Sequence, residues 1–129
     1  MNYYGKKHEN NFKRHLEKLD NKVSNAYLAS IYLLSSGGEL WNRAKGAITN
    51  KSINFNEIIR SDLNTYSYTL YKVSQDIYTN STHINLFDIC DKGIVTDKAF
   101  GLIMTALQIG RNGLEGFEIR SKLSSNEKV

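Results

Sequence analysis

The chain reads as an all-α domain, a single-domain bundle of five to six helices around two buried central helices. Three observations carry that reading. Proline is absent from all 129 residues, so no position is forced out of a helix by a missing N–H or a ring clash. Asn25–Leu34 is apolar on almost every side, the mark of a helix buried all round. Leu63, Tyr66, Leu70, Val73 and Ile77 recur at helical spacing, within about 80° of arc at about 100° per residue.

The first helix is expected from Lys6 to about Leu19, with Phe12, Leu16, Leu19 and Val23 as a narrow apolar stripe on a core supplied by other elements. Arg14, Lys18 and Lys22 stand four apart on a second, solvated face, and Glu9 pairs favourably with Lys13. The second helix, Asn25–Leu34, is the candidate centre, since Ala and Leu favour helix and the run exceeds the usual strand length. It should stop at Gly37-Gly38 through a left-handed termination. Ser36 and Glu39 have the spacing of a capping box for a third helix over about Gly37–Ala47, presenting Leu40, Trp41, Ala44 and Ile48.

Residues 49–54 form a polar loop, after which Asn54 and Glu57 read as a cap and a first-turn acid for the short apolar turn Phe55, Ile58 and Ile59. The clearest long helix covers about Asn64–Thr79, with Tyr68 pointing away from the stripe toward solvent. A second short apolar turn, Leu86, Phe87, Ile89 and Cys90, ends at Gly93 and is expected to pack inward. The last helix starts at the cap Thr96, with Asp97 at its positive end and Val95 set to staple onto Phe100. Phe100, Ile103 and Leu107, broadened by Ala99, Leu102, Ala106 and Ile109, should bury most of it before Gly110 closes it. One helical domain over residues 1–110 is then followed by a C-terminal tail, 111–129, partly packed or frayed.

Composition narrows the class. With 40% apolar and 23% charged residues, the chain has enough apolar surface to offset the entropy of ordering, which excludes a disordered chain. No apolar run approaches about 18 residues, so no membrane helix is expected. Met1–Lys7 leads into no apolar stretch, so no secretion signal is expected either. A single unpaired cysteine fits a reducing cytoplasm.

The net charge of +4 is unevenly placed: +5 over residues 1–60, −2 over 61–110 and +1 over the tail. A basic first half permits attraction of a polyanion to one side of the fold, and scattered solvated charge accounts for it equally well. The nucleic-acid contacts this would use are Lys13, Arg14, Lys18 and Lys22 on the first helix, with Arg43 and Lys45 nearby.

Catalytic chemistry finds little footing. His8-Glu9 has the start of a zinc-binding HExxH helix, but Phe12 stands where the second histidine belongs. His15 lies seven residues on, about 10.5 Å along a helix, too far for both rings to reach one zinc. Both histidines are expected as half-buried rims of the first stripe. Cys90 sits among apolar residues, where burial is the default, and Asp88 and Asp91 beside it oppose thiolate formation. His83, seven residues earlier, is the candidate base for it, with nothing in the sequence to indicate that role. Asp88, Asp91 and Asp97 lack the ligand alternation of a calcium loop and fit capping roles. Neither GxxxxGK[ST] nor GxGxxG occurs, and no catalytic residue, cofactor site or metal site is assigned.

Lys7-His8-Glu9 with Phe12 and Leu16, the run Tyr27–Leu34 into Gly38-Glu39-Leu40-Trp41, and the helix around Leu70 and Tyr71 together resemble a family of short bacterial proteins. That family, often prophage- or mobile-element-associated, is known only as a domain of unknown function. The resemblance covers about residues 6–110 and rests on packing patterns. It implies an all-helical fold and a cytoplasmic bacterial setting, and it transfers no site residue.

Two functional readings follow. The first is a non-catalytic interaction or accessory protein with a protein partner or a second copy, using tyrosines such as Tyr3, Tyr4 and Tyr68 at a contact surface. The second is a nucleic-acid-binding module built on the basic first helix.

Overall fold

A computed structural model gives the architecture, and the structure describes residues 1–19 and 22–115. It is all-helical: α1 (Lys6–Glu17), α2 (Asn25–Leu34), α3 (Gly38–Ala44), α4 (Thr65–Thr79), α5 (Leu86–Cys90) and α6 (Asp97–Asn112). Two 3₁₀ turns, Lys45–Ala47 and Phe55–Glu57, fall between α3 and α4. The expected tail lies mostly outside the described residues. No helix is long and apolar enough to cross a membrane among the described residues.

Helix α2 is the axis of the bundle, with Tyr27, Ala29 and every residue from Ser30 to Leu34 buried. It packs against both α4 and α6, which also touch each other. The expected crossing of α2 by α6 is present, and α4 shares the centre with them. Small residues let the backbones approach: Ser30 Oγ donates to the Ser74 carbonyl of α4 at 3.0 Å, and Ala29 lies opposite Gly110 of α6. Most helix starts are capped by a side chain, Thr96 as expected among them. Ser24, Asn64, Asn85 and Thr96 each accept from a backbone N–H of the helix they precede, and Asn85 with Asp88 completes a capping box on α5.

The end of α2 corrects the expectation at Gly37-Gly38. Gly37 is extended, with φ −126°, and Gly38 already belongs to α3, so neither provides a left-handed stop. The last carbonyls of α2 find side-chain partners instead. Ser36 Oγ donates to Leu33 O at 2.7 Å, Ser35 Oγ to Tyr32 O at 3.2 Å, and His8 Nε2 to Tyr32 O at 2.7 Å. With Ser36 buried and engaged backward, the expected Ser36–Glu39 capping box does not form. Helix α3 is accordingly shorter than expected, ending at Ala44 before the 3₁₀ turn.

His8 is likewise not a rim residue; it is 1% exposed. The Tyr4 backbone N–H donates to its Nδ1 at 2.9 Å, which places the ring proton on Nε2, facing the Tyr32 carbonyl. Tyr3 and Tyr32 pack against the ring, with Tyr3 edge-on at 5.1 Å, and Phe12 packs on both tyrosines. The Tyr32 hydroxyl donates to the Asn2 carbonyl, so the first residues and α1 are fastened to α2 by one aromatic cluster.

Elsewhere, Tyr71 is fully buried and its hydroxyl donates to Phe55 O at 3.1 Å, holding the 55–58 turn on α4. Asp76 gathers the 81–84 loop, accepting from the backbone N–H groups of His83 and Ile84 and from the Ser81 hydroxyl. Burial pushes the Asp76 carboxyl up, but these bonds and the His83 ring outweigh it and hold it below its ordinary value. Two expected burials fail. Helix α5 buries no residue, with Leu86 82% and Phe87 80% exposed and Cys90 exposed. On α6, Ala99, Leu102, Ile103, Ala106 and Ile109 face the core, while Phe100 and Leu107 face solvent with Met104.

Burial pushes the His8 imidazole from 6.5 down to about 4. The folded state holds the ring neutral and the unfolded chain takes up the proton first. Its contribution is therefore complete above pH 6.5 and is lost as pH falls from 6.5 toward 4, by about 3 kcal/mol. Denaturant titrations across that range should show the decline, and His8→Asn should flatten it; an unchanged slope in the variant would contradict this account of His8. Gly113 closes α6 at φ +72°, and an added Cβ would stand 3.0 Å from Asn25 Oδ1. Gly113→Ala should cost about 1–2 kcal/mol in the same measurement.

Candidate functional site: a basic groove between α1 and α3

Helix α1 presents three kinds of face. Phe12 and His8 turn inward. Lys6 and Lys13 flank Glu9 at 3.4 and 2.8 Å, a self-neutralised exposed cluster. Lys7, Asn11, Arg14 and Lys18 follow one another at intervals of four, three and four residues, which keeps them within about 60° of arc. This last row faces α3 and forms one wall of a groove of about 520 Å³. The opposite wall is Trp41, Asn42 and Lys45, and Ile48, Thr49 and Asn50 close the end.

Among the described residues the lining holds four cations, Lys7, Arg14, Lys18 and Lys45, and no carboxylate. None of the four makes an ion pair among the described residues, whose pairs are Lys6–Glu9, Lys13–Glu9, Arg43–Glu39 and His83–Asp76. A concave wall of one sign focuses its field into the groove. A second depression of about 720 Å³, on the Lys6–Lys13 side of α1, lacks this character because Glu9 sits in its lining.

The floor of the groove is aromatic and directional. The His15 ring stands perpendicular to the half-buried Trp41 ring at 5.7 Å. The Tyr27 hydroxyl donates to the Thr49 carbonyl at 2.6 Å, which leaves its oxygen to accept from His15 Nε2 at 2.8 Å. Burial first, and then the Lys18 ammonium, hold the His15 imidazole below its ordinary value; burial pushes the Tyr27 phenol up to about 12. The groove thus combines fixed positive charge, a neutral imidazole and an indole face.

The sequence-derived contacts divide. Arg14, Lys18 and Lys45 line the groove. Lys13 is on the other side of α1 and paired to Glu9. Lys22 is exposed but lies beyond the end of α1 at Glu17, so the four-residue row does not continue to it. Arg43 is a structural clamp: it binds Glu39 at 2.7 Å and donates to the carbonyls of Ile59, at 3.1 Å, and Ser61. Lys7, His15 and Trp41 were missed as members of the site. The signal for Lys7 was present in its spacing from Arg14 and Lys18. That for Trp41 was not, because its helix reads as core.

The other candidate chemistry stays dispersed. Cys90 is exposed on α5 and lines neither groove, while His83 is engaged by Asp76 at 2.6 Å. Asp88 closes the α5 cap, and Asp91 accepts from the Gly93 N–H at 2.8 Å. Among the described residues no three His, Cys, Asp or Glu side chains gather where a metal ion would need them.

An anion seated in the groove offsets the Lys18 field on His15, so its imidazole should titrate at higher pH in the presence of a short polyphosphate. Following the ring proton by NMR measures this directly, and an unmoved His15 with a bound polyphosphate would place the ligand elsewhere. No protein-family model matches the chain, and no curated protein or solved structure matches it.

Proposed function

We propose that the protein is a non-catalytic accessory protein that holds single-stranded nucleic acid in the α1–α3 groove. One observation carries this reading: among the described residues, four cations without a carboxylate line a concave surface that also offers the Trp41 ring. Lys7, Arg14, Lys18 and Lys45 neutralise successive phosphates, and Trp41 takes the face of an unpaired base. The amides of Asn42 and Asn50, with that of Asn11, which also donates to the Ser35 carbonyl, reach base edges or sugar hydroxyls. A single strand is favoured over a duplex because only unstacked bases expose a ring face to an indole. The resemblance of residues 6–110 to short prophage-associated bacterial proteins fits such a role, and with it a cytoplasmic setting.

Trp41 is the chain's one tryptophan, so its fluorescence reports on the groove itself. Titration with an oligonucleotide should quench it, with log K falling against log salt at a slope of about −3 for four phosphate contacts. Arg14→Glu with Lys45→Glu should weaken binding at least ~10-fold and flatten that slope by about 1.4. Trp41→Leu, followed by anisotropy of a labelled strand, should lose about 5- to 100-fold. Lys13→Glu, outside the groove, should change little. Affinity no better than ~10⁻⁴ M at physiological salt, or equal losses for the Lys13 and Lys45 variants, would sink the reading.

A further inference from the structure

Among the described residues, helix α6 carries an unpartnered stripe on the side turned from the core. Phe100, Met104 and Leu107 are 42%, 41% and 43% exposed, and the whole run Ala99–Gly110 contains no charged residue. Solvated faces of surface helices are ordinarily rich in charge. The charges that bound this face lie at its ends, Asp97 in the first turn and Arg111 in the last, both exposed. Neither makes an ion pair among the described residues. At about 100° per residue, Asp97, Phe100, Met104, Leu107 and Arg111 fall within about 80° of arc, spaced by three, four, three and four residues.

The stripe is complementary to itself. Asp97 and Arg111 stand seven residues before and after Met104, about 10.5 Å to either side. A twofold axis at Met104 running two such helices antiparallel sets Met104 on its counterpart and Phe100 beside Leu107. It also brings each acid level with the opposite base. A twofold interface requires one patch to match its own rotated image, and this patch does so in both shape and charge.

We propose that α6 is a self-association face, on which a second copy of the chain docks its own α6 antiparallel, Asp97 of each copy meeting Arg111 of the other. Since α6 packs chiefly on α2 and α4, the dimer leaves the α1–α3 groove open on both copies. One helix about 24 Å long makes a small contact, at the weak end of specific interfaces.

Sedimentation equilibrium of the full chain from ~10 µM to ~0.5 mM tests it. The expected result is a reversible monomer–dimer equilibrium, weakened at least ~10-fold by Met104→Glu. Asp97→Arg and Arg111→Asp should each weaken the dimer, and the two together should restore it. All three positions are exposed, so circular dichroism should show the same fold in every variant. A monomer throughout the range, which would leave the stripe to a different protein, overturns the proposal. So does a dimer indifferent to Met104→Glu or a charge exchange that fails to restore association.

Discussion

Everything in this fold depends on burying α2 on all sides without stranding its backbone. A helix whose side chains are apolar all round gains most by vanishing into the core, but its end then carries carbonyls that water cannot reach. At most helix ends a left-handed residue or solvent meets that need. Here Ser35, Ser36 and His8 do, and the histidine comes from another element. One imidazole thereby satisfies a buried carbonyl and fixes where α1 lies. The Tyr4 N–H on its other nitrogen holds the tautomer that makes this possible.

That attachment has a consequence on the opposite side of α1. With His8 and Phe12 committed to α2, the row Lys7–Asn11–Arg14–Lys18 is turned toward α3, and His15 reaches Tyr27 at the floor between them. The cations face one another across the groove because the ring that faces inward has a place in the core. Repulsion among four ammonium and guanidinium groups costs the free protein some stability, as one-sided charge does at binding surfaces generally. A bound polyanion relieves it.

Legibility in the sequence followed the range of the physics. The caps at Asn54 and Thr96 are bonds between residues two or three apart, and the boundaries of α2 and α4 follow from local apolar patterning. The failures share one cause. Phe100, Leu107, Leu86 and Phe87 are apolar and read as core in the sequence, yet apolar character says only that burial is favourable, not that a partner surface is in reach. On α6 the inward arc is filled by Ala99, Leu102, Ile103, Ala106 and Ile109, and among the described residues no neighbour covers the outer one.

The groove shows the same division. Local spacing alone places Lys7, Arg14 and Lys18 on one face of one helix, and alone marks Glu9 as the neutraliser of Lys13. Whether that face meets solvent, an acidic neighbour or a second basic wall is a matter of contacts between α1 and α3, far apart in the chain. The all-helical class, the helix starts and the buried character of α2 were written in the residue order because they depend on neighbours within one or two turns. The seat of His8, the exposure of α6's outer stripe and the union of Trp41 and Lys45 with the α1 cations were decided only in three dimensions. Each depends on which long-range surfaces fit together, and periodicity carries no record of that.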